Sequence, residues 1–80
     1  MATTQWKGDR SSTISLVDPN KNPKRVGSKA AVRFSRYRNG MTVKQYVEAC
    51  KDAPRGSDAL LDIAWDLEDG FIELARPRKG

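Results

Sequence analysis

Residues 39–50 read NGMTVKQYVEAC, and this stretch fixes where one helix stops and the next begins. Thr42-Val43-Lys44-Gln45 has the T-x-x-Q form of a capping box, in which the threonine hydroxyl and the glutamine amide each satisfy a backbone N–H of the first turn. Met41 and Tyr46 stand at the N′ and N4 positions of a hydrophobic staple across the same start. The spacing predicts a helix over residues 43–51 that buries Val43, Tyr46, Val47 and Cys50. Lys44, Glu48 and Lys51 fall on its other face, spaced i, i+4 and i, i+3. Gly40 ends the preceding helix, because glycine readily takes the left-handed conformation of a C-terminal cap.

That preceding helix belongs to GSKAAVRFSRYRNG, residues 27–40. Ser28 is its expected N-cap. Ala30, Phe34 and Tyr37 make an apolar stripe, and Lys29, Arg33 and Arg36 make a basic one beside it. A third helix is expected after the turn at residues 52–56, capped by Ser57 and closed by Gly70. Its core stripe reads Leu60, Ile63, Ala64 and Leu67. Asp58, Asp62, Asp66 and Asp69 fall opposite, and Leu61 and Trp65 form a second apolar pair. Thr13–Val17 and Phe71–Ala75 read as strands, with an obligatory Pro/Asn loop at residues 18–23. The expected fold class is α+β, in the order β-α-α-α-β: three short helices packed with a two-stranded antiparallel ribbon. That is the inventory of a winged helix-turn-helix, although a strand ahead of the first helix is unusual there.

The 80 residues allow a single domain. Such a chain buries only roughly 60% of the surface its unfolded form exposes, so marginal stability is expected. Residues 1–11 read as a mobile N-terminal arm, 12–76 as one small globular domain, and 77–80 as a basic tail. Hydrophobic content is 38% and mean hydropathy is −0.71. No apolar run approaches the ~20 residues of a membrane-spanning helix, and no apolar leader is visible at the N-terminus. Cys50 is the single cysteine; it reads as a small core residue, and a reducing cytoplasmic setting is expected. The chain has no histidine, which removes the commonest general base and metal ligand together. A non-enzymatic protein with no cofactor and no metal is the expectation. Carboxylates at i, i+4 on one straight face diverge and lack the loop geometry of calcium sites. Gly27-Ser28-Lys29 lacks the upstream glycine of a phosphate-binding loop.

Charge is uneven along the chain, whose formal net charge is +5. Residues 1–40 hold nine Lys/Arg against two Asp, whereas residues 41–76 hold four against eight Asp/Glu. The basic candidates are Lys21, Lys24 and Arg25 in the loop, with Lys29, Arg33 and Arg36 on the first helix. The amides at Ser28 add donors at the helix start. Cations along a track with amide donors at one end suit the phosphates of DNA. The same stripe also fits a solvated or self-paired face, or an acidic protein partner. The third helix is expected to repel phosphate through its aspartates, which argues against base reading by that helix. A separate candidate is a protein-partner or homodimer patch made of Leu61 and Trp65 flanked by Asp62 and Asp66. The N-terminal strand covering Leu61 and Trp65 is the alternative.

Asn22–Arg25 (NPKR), Gly27-Ser28, Arg33-Phe34, Tyr37, Gly40–Val43 (GMTV), Trp65-Asp66 and Gly70–Ile72 (GFI) together form a pattern. In it the chain resembles short, mostly uncharacterised proteins of proteobacteria and of their phages and plasmids. The likeness covers residues 22–72. It implies a bacterial or mobile-element origin and lends support to a role around DNA.

Overall fold

The computed structural model describes residues 5–76. In chain order it contains strand β1 (Thr13–Leu16), helix α1 (Lys29–Phe34), helix α2 (Val43–Ala49), helix α3 (Ala59–Glu68) and strand β2 (Ile72–Ala75). A 3-10 turn, Gly56–Asp58, leads into α3. The fold is α+β, with three helices and a two-stranded antiparallel sheet. Thr13 pairs with Ala75 and Leu16 with Ile72. Among the described residues no helix is long and apolar enough to cross a membrane. The basic tail at residues 77–80 lies outside the described residues.

Helix α2 starts as its sequence dictates. Thr42 Oγ1 accepts from Gln45 N–H at 3.1 Å, and the Gln45 side chain accepts from Thr42 N–H at 2.8 Å. Helix α1 is shorter than its sequence predicts and stops at Phe34. Beyond it, Arg36 and Tyr37 N–H donate to carbonyls three residues back, Arg33 at 3.0 Å and Phe34 at 3.1 Å. The Ser35 hydroxyl also donates to the Val32 carbonyl at 2.5 Å, a local bond that competes with helix continuation. Gly40, at φ 88°, therefore bends the chain onto β1 instead of capping a helix. Its N–H donates to the Ile14 carbonyl at 2.9 Å, Ile14 N–H donates to Met41 at 2.7 Å, and Val43 N–H donates to Ser12 at 3.0 Å. Thr13 thus forms an antiparallel bridge with Thr42. Strand β1 consequently runs between β2 and the short extended segment at residues 40–43.

Two further points differ from the sequence reading. Ser57 does not cap α3, which emerges from the 3-10 turn at Ala59. The Asp58 carboxylate takes Arg55 Nε at 3.0 Å and makes no cap bond to the helix. From Trp6 onward the expected mobile arm is tied in. Trp6 N–H donates to the Leu60 carbonyl at 3.1 Å, and Lys44 N–H donates to the Arg10 carbonyl at 2.8 Å. The half-buried Trp6 ring packs against a core that includes Ile14, Phe34, Val43, Tyr46, Ile63 and Ile72.

The turn between α2 and α3 leaves no room at Gly56, where a Cβ would collide with the Cys50 carbonyl oxygen. The obstacle is backbone and cannot swing away. Gly56→Ala should therefore destabilise the fold by about 1–3 kcal/mol, the usual cost of overpacking. A urea midpoint equal to that of the parent would contradict this.

Candidate functional site

The inward face of α3 is not the one that apolar periodicity selects. Its buried residues are Ala59, Asp62, Ile63 and Asp66, spaced i, i+3, i+4, i+7. Leu60, Ala64 and Leu67 flank them half-buried. Asp62 and Asp66, expected on an open partner-binding face, are only 9% and 0% exposed. That expectation is corrected for a physical reason: each carboxylate has a cation and a tyrosine hydroxyl to meet it inside the fold.

Asp62 faces Arg33 of α1. Arg33 Nε donates to Asp62 Oδ2 at 2.5 Å and Nη2 donates to Oδ1 at 3.1 Å, a two-pronged contact of the geometry that guanidinium favours. Arg33 Nη1 donates to the Pro54 carbonyl at 2.9 Å, and the Tyr46 hydroxyl donates to Asp62 Oδ2 at 3.1 Å. Asp66, one turn further on, accepts the Tyr37 hydroxyl at 2.7 Å and meets Lys24 Nζ at 2.6 Å. The two tyrosine rings stack between these assemblies, with centroids 4.1 Å apart and planes 8° from parallel. Lys24 Nζ also lies over the rings of Phe71, at 5.3 Å, and Phe34, at 5.9 Å.

Burial sets the electrostatics. The Tyr37 and Tyr46 hydroxyls are pushed far above the ordinary tyrosine value, chiefly by desolvation, then by Tyr46 and Asp66 in the case of Tyr37 and by Asp62 and Cys50 in the case of Tyr46. The hydrogen bond to Asp62 raises the already high pKa of Arg33. Desolvation raises Asp66, outweighing the opposing pull of Lys24 and Tyr37. Burial likewise pushes the Cys50 thiol up, which makes it a poor nucleophile. Among the described residues no three His, Cys, Asp or Glu side chains gather where they would hold a metal ion. Within the assembly the two carboxylates face the two cations and the two tyrosine hydroxyls.

This pairing sorts the basic residues. Lys24 and Arg33, expected to grip phosphate, turn inward onto Asp66 and Asp62. Arg36 is half-buried and reaches Asp52 and the Ala49 carbonyl, both at 3.3 Å. The Ser28 hydroxyl is occupied, accepting from Ala31 N–H at 3.1 Å and donating to the Arg25 carbonyl at 2.7 Å. Lys21, Arg25 and Lys29 do face solvent. The fold adds cations that the sequence reading overlooks. Arg10 is hydrogen-bonded through its carbonyl to Lys44, and the Thr13–Ala75 pairing brings Arg76 opposite Ser12. The backbones of Arg10, Lys44 and Arg76 thus all lie at one end of the sheet. Long-range backbone pairing places them there, and no local motif signals it. Leu61 and Trp65 are half-buried and stand outside the hydrophobic cluster of the core.

No family model matches the chain, and comparisons with curated proteins and with solved structures return no match.

Removing one partner from a buried ion pair leaves the other charge stranded, at a cost of about 3–5 kcal/mol, whereas replacing both by apolar groups is far milder. Arg33→Met should therefore cost about that much in urea unfolding, and adding Asp62→Leu should recover most of it. A double variant less stable than Arg33→Met would contradict the pairing.

The raised pKa of Asp66 gives a second expectation. Just above the ordinary aspartate value of 3.8, the folded chain keeps a proton that the unfolded chain has released. The resulting stabilisation is complete below 3.8 and is lost as pH rises through the raised value. Lowering the pH from neutrality towards 4 should thus favour the parent over Asp66→Asn. Parallel pH profiles of the two urea midpoints would contradict the assignment.

Proposed function

We propose that the protein is a small, non-enzymatic DNA-associated protein that holds duplex DNA through its phosphates. The observation that carries this reading is the imbalance left at the surface once Asp62 and Asp66 are buried. Lys7, Arg10, Lys21, Arg25, Lys29, Arg38, Lys44 and Arg76 are exposed and make no ion pair with another described residue. The exposed acids in that condition are Asp9, Asp18, Asp69 and Glu73. A surplus of solvated cations draws a polyanion and releases its counterions. Burial of Asp62 and Asp66 also takes away much of the repulsion expected from α3.

The topology supports a winged helix-turn-helix-like reading by analogy of fold. In that architecture a short strand follows the first helix, and a hairpin follows the third. Here the segment at residues 40–43 follows α1, β2 follows α3, and β1 takes the central place of the hairpin's returning strand from the other end of the chain. The tip of the wing then corresponds to the end of the sheet where the backbones of Arg10, Lys44 and Arg76 lie. Lys21, Arg25 and Lys29 supply a second set of cations. A protein-interaction module is the second reading, favoured by the half-buried Leu61 and Trp65 outside the core cluster. Asp62 and Asp66 have no part in such a patch.

Titration into a short fluorescent duplex of arbitrary sequence should give micromolar binding at about 50 mM salt that collapses by about 200 mM. Replacing Arg10, Lys44 and Arg76 together by Ala should flatten the log–log salt slope by about 0.9 for each phosphate that the variant no longer neutralises. Absence of binding at the lower salt would reject the reading. Retained DNA binding in Trp65→Ala, with loss of a protein partner, would assign the second reading to a separate face.

A further inference from the structure

The ion pair between Lys24 and Asp66 has a feature that simple charge pairing does not require. The Lys24 ammonium sits in an enclosure made by a fully buried carboxylate and the rings of Phe34 and Phe71, at 5.9 and 5.3 Å. The second oxygen of the carboxylate is fixed by the Tyr37 hydroxyl at 2.7 Å. Carboxylate and ring faces together form a site for an alkylammonium ion: the carboxylate neutralises the charge and the ring quadrupoles attract it in a desolvated setting.

Lys24 comes from the irregular segment at residues 18–28, which has few other anchors. Its bonds are largely internal, such as Lys21 N–H to the Asp18 carbonyl at 3.2 Å, Lys24 N–H to Asn22 Oδ1 at 3.0 Å and Ser28 N–H to the Arg25 carbonyl at 3.0 Å. The Asn22 side chain reaches α1, donating to the Ala31 carbonyl at 3.0 Å. The Lys24 ammonium is what joins the segment to α3. Beside the enclosure lies an open groove of about 340 Å³ that Phe34 and Phe71 also line, together with Val17, Lys21 and Pro23. The two rings are thus shared between the ammonium site and a path to solvent.

We propose that Asp66, Tyr37, Phe34 and Phe71 form a binding site for a primary alkylammonium ion, which Lys24 occupies in cis. The segment at residues 18–28 is then a strap closed by its own lysine, and an external alkylammonium ion competes with Lys24 for the site. A primary ammonium suits the site better than a quaternary one, because it donates to the carboxylate as well as facing the rings. The inference stands apart from the nucleic-acid reading and does not depend on it.

The test is Lys24→Ala in the full chain, with n-butylammonium chloride as probe. The variant should melt below the parent, and millimolar n-butylammonium should restore at least half of the lost Tm while shifting the ring resonances of Phe34 and Phe71. Sodium chloride, n-butanol and tetramethylammonium at equal concentration should not. The parent, with its site filled, should show neither change. Should Lys24→Ala be unfolded alone, the readout becomes recovery of its helical circular dichroism on adding n-butylammonium. The proposal is overturned by no selective recovery in whichever assay applies, by equal recovery with tetramethylammonium or sodium chloride, or by equal ring shifts in the parent.

Discussion

Two carboxylates on the inward stripe of one helix constrain everything else in this molecule. Asp62 and Asp66 could not be taken out of water unpaired, since an ionised carboxylate without a partner in a protein interior costs far more than an 80-residue chain can offset. Each needs a cation and a hydroxyl donor. All four partners come from elsewhere in the chain: Arg33 from α1, Tyr37 from the turn after it, Tyr46 from α2 and Lys24 from the loop before α1. An arrangement of the helices that displaced any one of them would strand a charge. Apolar packing around Ile14, Val43, Ile63 and Ile72 supplies the hydrophobic contribution. In a low-dielectric interior a network that lost one of these partners would be left only partly satisfied, which is costly.

The same constraint shapes the surface. Charges that look like a binding stripe in the sequence are divided between the interior and solvent according to whether an aspartate awaits them. Arg33 and Lys24 are drawn in, while their sequence neighbours Lys29 and Arg25 remain outside. The outward cations at the end of the sheet owe their placement to the central position of β1. That strand is bonded on one side to β2 and on the other to the chain leading into α2.

Local signals are legible where local physics decides. The capping box at Thr42 and Gln45 and the two strands follow from short-range pattern, and the antiparallel pairing follows from there being two such strands to join. The early end of α1 is hidden because Phe34 and Tyr37 keep helical spacing while Ser35 diverts the backbone. Helix α3 reads with its aspartates outward because periodicity arguments sort residues by hydrophobicity, and Leu60 and Leu67 outweigh Ala59 in such a sum. A cue is present: Ala59, Asp62, Ile63 and Asp66 keep a strict three–four spacing. The chain also holds two tyrosines able to serve two buried carboxylates. The placement of Arg10, Lys44 and Arg76 at one end of the sheet is illegible, because it arises from backbone pairing across most of the chain length.

The central claim is that both aspartates are buried with both tyrosines donating to them. Tyr37 and Tyr46 are the only tyrosines in the chain, so tyrosinate absorbance near the red edge of the aromatic band reports on nothing else. A spectrophotometric pH titration, followed alongside circular dichroism, is therefore the most direct test. With both hydroxyls raised well above the ordinary value of 10.0, no tyrosinate should form through that range while the fold persists. Both residues should then ionise together as the chain unfolds at higher pH. Ionisation of either tyrosine near pH 10.0 in a chain that is still folded would contradict the account.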